Sequence, residues 1–489
     1  MFIGVDVGTS ITKAVGYDED GREVCQASVP TSLSYPGEGR VEQDIDAVVG
    51  SAIDVIREVA VQLPAPPRLI AMTGQGDGMW LVDEDAAPVR PAISWLDARA
   101  ADVVRRWDRD GTADVILRHS GGMIFPGSAA PILAYLDEHE PDVLDRAASA
   151  VNCKDVIFQR LTGVRGTDVS DSSFPFVDPR TGEYDDETLA ACGLSHRRDL
   201  LAPIAKGGLT APLRDDAAAL LGVPAGVPVS AGPYDLPASA RGSGVVEVGD
   251  GLMIVGTTLA CQVVTDDPSP IEHRAGLLLA TWQPQRWLRA MPAMVGTASL
   301  GWLLELVGAS VAELPGLLGS STPGAGGVTV LPYWSESGER APFVEASARG
   351  RFDGLHVGTT RADLVRALCE GLAFAARHCF DAAGLTGRLA VCGGGAQSAE
   401  WIQLFADVLG RPVDVVEVEQ AGAYGAVLCA LEARGEQPGW PIPLHTVVPD
   451  AGSRTFYDDA YAAYLARVDA ARDGWSAATA ASLAAGARR

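Results

Sequence analysis

One local pattern occurs twice in this chain, at its start and again just past its middle. Phe2 to Val7 is a short apolar, β-branched run, Gly8-Thr9-Ser10 follows it, and a second run extends from Ile11 to Asp18. In Val245–Val264, apolar runs again flank a glycine and two hydroxyls, Gly256-Thr257-Thr258. Apolar runs around a tight polar turn read as strand pairs. Each pair is followed by amphipathic helices and further strands, so each half reads as an α/β unit built on a mixed sheet. The chain has 489 residues, about three times a typical domain length of roughly 150. The repeat therefore divides it into two domains, 1–243 and 244–489.

The remaining elements follow from periodicity. Ile45, Val48, Val49, Ala52, Ile56 and Val59 share one face of a helix predicted over Asp44–Leu63, and Pro64, Pro66 and Pro67 end it. Gly21–Val29 and Arg68–Gly74 read as strands. In the second half, Leu364, Leu368, Leu372 and Ala376 mark a helix over Thr360–Ala383. A strand over Arg388–Cys392, a Gly393-Gly394-Gly395 turn, a helix over Ser398–Leu409, a strand near Pro412–Val418 and a small-residue helix over Ala421–Glu432 complete the order. The glycine- and serine-rich Gly316–Gly327 stretch reads as a flexible loop, and the alanine-rich tail after Trp475 is expected to fray.

With 38 Lys and Arg against 63 Asp and Glu, the formal charge is −25. Nucleic acid and anionic membrane surfaces reward basic patches, so neither is expected as a partner. The N-terminal residues lack a basic region and meet Asp6 early, unlike a signal peptide, and no uncharged apolar stretch matches a bilayer's thickness. The expectation is a cytoplasmic protein. Eight cysteines are scattered without a C-x-x-C pair, which reads as buried thiols rather than a zinc site or a disulfide framework.

Three segments carry chemistry. In Asp6-Val7-Gly8-Thr9-Ser10-Ile11-Thr12-Lys13 a carboxylate ends a strand and a turn of N–H and hydroxyl groups follows. Such a turn approaches phosphate oxygens closely, and the carboxylate suits Mg²⁺, which takes one or two carboxylates, water and phosphates. Gly393-Gly394-Gly395-Ala396-Gln397-Ser398 lets backbone approach a nucleotide at a helix N-terminus. Gly232-Pro233-Tyr234-Asp235 places an acid after the strand Val227–Ala231, where it can accept a hydroxyl proton. Taken singly, an ordinary turn or cap is the commoner meaning of each segment. Neither a P-loop nor a dinucleotide fingerprint is present.

Taken together and in this order, these segments resemble the FGGY family of carbohydrate kinases, from the first strand to about Ala430. D-x-G-T-[ST] falls on Asp6–Ser10 and W-x-D-x-R on Trp95-Leu96-Asp97-Ala98-Arg99. Lys154-Asp155, Leu161-Thr162-Gly163 and Thr167–Ser172 follow the family's K-D, LTG and TD-x-S segments. Gly232–Asp235, Gly338-Glu339-Arg340-Ala341-Pro342, Ala348-Arg349-Gly350, Arg366–Gly371 and Gly393–Ser398 match in turn. The resemblance implies two ribonuclease-H-like, actin-like ATPase domains with mixed sheets facing an interdomain cleft. It implies ATP as phosphoryl donor with Mg²⁺, a small carbohydrate as acceptor, Asp235 as general base and Asp6 at the metal. Thr9, Ser10 and Lys13 would lie near the transferring phosphoryl group, and Gly256, Thr257, Gly296, Gly394, Gly395 and Ser398 along the nucleotide. The oligomeric state is left open, with a homodimer as one option.

The acceptor pocket departs from the better-known subgroups. Gly74-Gln75-Gly76-Asp77-Gly78 stands where xylulose kinases carry Met-His after Gly-Gln, and where glycerol kinases carry Arg-Glu. Ala129-Ala130-Pro131-Ile132 lacks the lysine many relatives have there. Gln75, Asp77, Trp80 and Trp95 are the candidate acceptor contacts besides Asp235, with Asp97 also weighed and core packing the competing role for either tryptophan. Gly76 would leave room, and Asp77 would supply acceptor groups for hydroxyls. This favours a linear polyol such as erythritol or xylitol. The alternatives are a pentulose kinase of the xylulose or ribulose type and, in another class, an actin-superfamily ATPase or a sugar sensor without kinase activity.

Overall fold

Phe2–Val7 and Ile11–Tyr17 pair antiparallel, with Asp6 opposite Lys13. The computed structural model describes residues 1–172, 175–269, 274–335 and 338–486. The first sheet has six strands in the order Leu209–Pro212, Pro228–Ala231, Leu69–Gly74, Phe2–Val7, Ile11–Tyr17 and Glu23–Pro30. Its three central strands, Pro228–Ala231, Leu69–Gly74 and Phe2–Val7, run parallel; Leu209–Pro212 and Ile11–Tyr17 are antiparallel to them, and Glu23–Pro30, antiparallel to Ile11–Tyr17, runs in their direction at the edge. The second sheet repeats the plan. Trp287–Ala293, Leu259–Thr265, Gly251–Val255, Leu389–Cys392, Val413–Val416 and Leu444–Val447 stand in the same pattern of directions, with Leu277–Ala280 added at one edge. The duplication read from the two hydroxyl turns therefore extends to whole sheets.

Helices form where periodicity and caps agree. The helix Ile45–Gln62 starts at Asp44, whose side chain accepts from Ala47 N, and its apolar stripe faces the first sheet. The helix Arg361–Ala383 opens with a capping box of Thr360 and Asp363. Gly316–Gly327 differs from expectation. Leu314–Gly319 is a helix that buries Leu314, Leu317 and Leu318, and Ala325–Gly327 is a short 3₁₀ turn. The i, i+3, i+4 leucines outweigh the intervening glycines. The alanine-rich tail, expected to fray, continues the last helix, Arg454–Gly486, and its final three residues lie outside the described ones. Before Gly251 the apolar Val245–Val248 segment stays outside the sheet.

The halves exchange helices. Ala421–Ala433, from the second half, covers the first sheet through Ala423, Tyr424, Val427 and Leu428, which pack on Phe2, Val15, Tyr17 and Leu69. It approaches so closely that a Cβ on Gly4 would lie 2.4 Å from Ala423 O. Asp235–Gly242, from the first half, reaches toward the second sheet, where Gln262 Nε2 donates to Leu236 O at 3.2 Å. The two helices cross at glycines. A Cβ on Gly242 would lie 1.9 Å from Ala421 O, and one on Gly425 1.8 Å from Ala238 O. Among the described residues no single helix is long and apolar enough to cross a membrane. All eight cysteines are free, and all but Cys25 are buried.

Candidate active site

The parallel strands of the two sheets end toward one another. In the first half, Val7, Gly74 and Ala231 lead into the loops that carry Gly8–Ser10, Gln75–Gly78 and Gly232–Asp235. In the second, Val255, Cys392 and Val416 lead into Gly256–Thr258, Gly393–Ser398 and the start of the Ala421–Ala433 helix. In open α/β sheets such carboxyl-terminal edges are where ligands collect. Lys13 Nζ donates to Gln420 Oε1 across the gap at 2.9 Å.

Asp6, near the end of its strand, lies against the first turn of the Ala421–Ala433 helix, where any larger residue at Gly422 would displace its carboxylate. A Cβ on Gly422 would lie 2.6 Å from Asp6 Oδ2. Burial raises the Asp6 pKa, and Lys13 works against the rise. Asp235 opens the Asp235–Gly242 helix. Burial lifts its pKa well above the ordinary carboxylate range, and Asp6, Asp171 and Asp77 add to the rise. Its Oδ1 is buried and has no hydrogen-bond partner. A buried, unpartnered carboxylate oxygen is costly, and a substrate hydroxyl would satisfy it. Asp6 and Asp235 are thus two carboxylates that oppose each other's ionisation, a setting in which a divalent cation carried by a polyphosphate fits. Among the described residues no cluster of three or more ligating side chains forms a metal site by itself.

Two framework networks hold these groups. Thr9 Oγ1 donates to Gln75 Oε1 and accepts from Trp95 Nε1, both at 2.9 Å, and Gln75 Nε2 donates to Gln43 Oε1. Both ends of the Gln75 amide are thereby engaged inside the first half, so it braces the hydroxyl turn. Lys154 is fully buried among Asp155, Asp168 and Asp171, at 2.7, 2.8 and 2.8 Å. Burial alone would lower its pKa, but the three carboxylates hold it well above the ordinary lysine value. Burial, and after it the neighbouring acids, holds Asp155 and Asp171 above the usual carboxylate range, although Lys154 works against the rise. Ser170, bonded to Asp168, accepts from Tyr234 N at 2.8 Å and so fixes the residue before Asp235.

The acceptor candidates separate clearly. Asp77 sits at φ 54 and lines a cavity with Met79, Asn152, Thr167, Asp171 and Tyr184. Trp95 is half-buried, with the Arg340 guanidinium of the second half 5.3 Å above its ring. Trp80, by contrast, is a correction. It is 2% exposed in the core with Ile3, Val5 and Val156, because side chains alternate along its strand and Met79 takes the cavity side. Asp97 accepts from Val41 N and Arg99 and is structural, as is Arg99, which also bonds Glu42. Gly76 leaves no empty room either, since a Cβ there would lie 2.1 Å from the Tyr234 ring, which fills the space. Tyr234, Asp171 and Arg340 were present in the matched motifs, yet no local signal assigned them to the pocket.

Asp77 offers a stability readout. Burial raises its pKa from 3.8 to about 7, and Arg340 opposes the rise. A carboxyl with a raised folded-state pKa contributes most when protonated. Its contribution is lost as pH climbs from the unfolded pKa of about 4 toward 7. The Tm of Asp77→Asn relative to the parent should therefore increase across that window and level off above it. A pH-independent Tm difference would show that Asp77 does not titrate as a buried acid.

On the second half, Gly256 O accepts both Thr297 N and Thr297 Oγ1, at 2.9 and 2.8 Å. A Cβ on Gly296 would lie 2.5 Å from Thr257 O, so Gly256, Thr257 and Gly296 form one tight corner at the start of the Thr297–Leu306 helix. Gly394 is exposed, with open space where a Cβ would point. Gly395 packs on Val255, and Ser398 caps the helix Ala399–Leu409 by accepting from Trp401 N. Ser10 is exposed at the opposite turn.

Residues 1–242 match the FGGY family of carbohydrate kinases, N-terminal domain, and residues 251–433 match the family's C-terminal domain. The chain is 35% identical to the erythritol kinase of Brucella abortus, over 95% of each chain. It is 29% identical to the xylulose kinase of Escherichia coli, over 96% of this chain and 97% of that one. The crystal structure of a xyloylose kinase from Brucella ovis superposes with a TM-score of 0.88 at 30% identity, covering 96% of this chain and 98% of that one. The doubled fold is thus the actin-like ATPase fold of these enzymes. Matched along both halves, the chain belongs to the FGGY family of carbohydrate kinases, ATP-dependent enzymes that phosphorylate an alcohol group.

Proposed function

We propose that this kinase phosphorylates a hydroxyl of a small linear polyol, erythritol or xylitol, with Asp235 as general base. The observation that carries the reading is the buried, unpartnered Oδ1 of Asp235, in a carboxyl whose ionisation Asp6 opposes. The hydroxyl donates to the ionised Asp235 carboxylate, its oxygen attacks the terminal phosphorus in line as the bond from that phosphorus to the bridging oxygen breaks, its proton passes to the carboxylate, and ADP leaves with the bridging oxygen. Lys13, Thr9 and Ser10 lie beside Asp6 and face the transferring group. Gly256, Thr257, Gly296, Gly394, Gly395 and Ser398 line the nucleotide. Mg²⁺, bound with the nucleotide and held by Asp6 directly or through water, would neutralise phosphate charge. Asp77 and Trp95 contact the acceptor. The polyol choice is supported by the likeness to an erythritol kinase and by a pocket walled with acids and the Tyr234 phenol, which suits hydroxyls and disfavours an anionic sugar acid. The boundary between the domains is placed at 243/244, and the compartment is the cytoplasm.

The likeness to xylulose kinases favours a pentulose as the second reading. Acceptor-dependent ADP release, measured across erythritol, xylitol, glycerol, xylulose, ribulose and gluconate, decides between them. A linear polyol should have the highest kcat/KM, by about tenfold or more over any ketose, as one or two lost hydrogen bonds would give. Xylulose or ribulose ranking first would establish the second reading. ATP turnover that no acceptor stimulates would sink both.

A further inference from the structure

Arg340 comes from the nucleotide-side half but lies on the acceptor side of the cleft. Its guanidinium carbon is 5.3 Å from the ring centroid of Trp95 and 4.7 Å from that of Phe125, both in the first half. Its Nε donates to Pro292 O at 2.8 Å within its own half. Burial lowers its pKa, while Asp77, Tyr234 and Glu339 act to raise it. A cation held over aromatic faces and screened from water is strongly attracted to them.

The turn Gly338–Ala341 that carries Arg340 is tightly held. Gly338 adopts φ 80, and a Cβ there would lie 2.2 Å from Glu345 O, so the turn requires glycine. Glu339 is buried, and its Oε1 accepts from Met294 N, Arg340 N and Ala341 N. Met294 lies two residues before Gly296, in the corner read as nucleotide-binding. A continuous chain of contacts thus runs from that corner through Glu339 and Arg340 to Trp95, and from the Trp95 Nε1 to Thr9 in the hydroxyl turn.

We propose that Arg340 is a positioning residue that couples the two substrates: carried by the nucleotide-side half, it closes over Trp95 and Phe125 and forms the cationic roof of the acceptor pocket opposite Asp77. The inference rests on the acceptor pocket as read above. Nucleotide binding sets the Met294–Glu339 corner, the corner aims Arg340, and Arg340 presses Trp95 toward the acceptor. An acceptor already in place favours the same closed arrangement, so each substrate should tighten the other reciprocally.

The test is acceptor binding by calorimetry, with and without a non-hydrolysable ATP analogue, on the parent, Arg340→Gln and Arg340→Lys. The probe is erythritol, or the best phosphorylated member of the acceptor panel. In the parent the analogue should lower the acceptor Kd about five- to a hundredfold, the usual range for coupled sites. Arg340→Gln should abolish that gain and raise the acceptor KM, while its Kd for the analogue alone stays within about twofold. Arg340→Lys keeps the charge without the planar stacking face and should retain part of the coupling. A folding defect would instead weaken nucleotide binding and lower Tm in proportion. Arg340→Gln with parental coupling, or a parent whose acceptor Kd ignores the analogue, overturns the proposal. Failure of erythritol alone overturns only the polyol reading, because the coupling is then measured with the acceptor that works.

Discussion

Asp235→Asn should lower kcat by about 10²–10⁴, the usual range for losing a general base, with acceptor and ATP binding retained. Asparagine keeps the shape of the side chain and its place in the first turn of the Asp235–Gly242 helix, but it cannot accept the hydroxyl proton. The environment adds a sign. Burial and the neighbouring Asp6, Asp171 and Asp77 hold the Asp235 carboxyl well above its ordinary value. The free base is therefore the minor form in acid, and parental kcat/KM should rise with pH along a limb that belongs to this group. A cation bound beside Asp6 draws that limb down, so it should move to lower pH as Mg²⁺ is raised. The variant should show residual turnover without the limb. Near-parental kcat in a pure, folded Asp235→Asn protein would remove Asp235 from its role.

Gly425→Ala should be strongly damaging although it adds one methyl away from the reacting groups. The added Cβ would sit 1.8 Å from the backbone oxygen of Ala238, and the facing Gly242 makes a matching contact with Ala421 O. Backbone cannot rotate away as a side chain can, so the two helices must separate. Overpacking of this kind costs about 1–3 kcal/mol, against roughly 1 kcal/mol gained from helix propensity. The geometric cost reaches further. One helix begins at Asp235 and the other begins against Asp6, so spreading their crossing displaces the base from the phosphate end. Activity should fall more steeply than Tm. Gly474→Ala is the control, since that helical glycine has nothing within 4 Å of the new Cβ and should be neutral or slightly stabilising. Equal behaviour of the two variants would mean that the crossing tolerates expansion.

Two long helices and the central strands of both sheets were legible because their signals are local, whereas Leu209–Pro212, Leu277–Ala280, Trp287–Ala293, Leu444–Val447 and the last helix, Arg454–Gly486, were not read. Ile45–Gln62 and Arg361–Ala383 have an apolar stripe and a cap, and the parallel strands are short, mostly apolar runs. The repeated hydroxyl turn fixed the duplicated plan. What escaped depends on contacts distant in sequence. Trp80 and Met79 are adjacent and both buried, and nothing local tells which of the two lines the cavity. Gly76 looked like free space, but the space belongs to Tyr234, more than 150 residues away in the chain. Gln75 reads as an acceptor ligand until its amide is seen bonded to Thr9 and Gln43. Arg340 belongs to a recognisable segment, yet its meaning lies in the rings it covers on the other half. In Leu314–Gly319 the leucine spacing was visible, but glycine and serine nearby carried more weight in the reading than they carry in the structure.

The exchanged helix has a consequence for biosynthesis. Phe2, Val15, Tyr17, Leu69 and Ala71 form an apolar face that is sealed by Ala423–Leu431 and Trp440, with Val418 and Ile442 at the margin. Those covering residues leave the ribosome more than 350 residues after Leu69 has been made. During most of translation the first sheet therefore has one face finished, under Ile45–Gln62, and the other bare. A nascent chain halted before Ala421 carries that bare face and cannot bury it internally. It becomes the segment a holding chaperone would shield, and truncated products should aggregate through it although every strand of their first sheet is present.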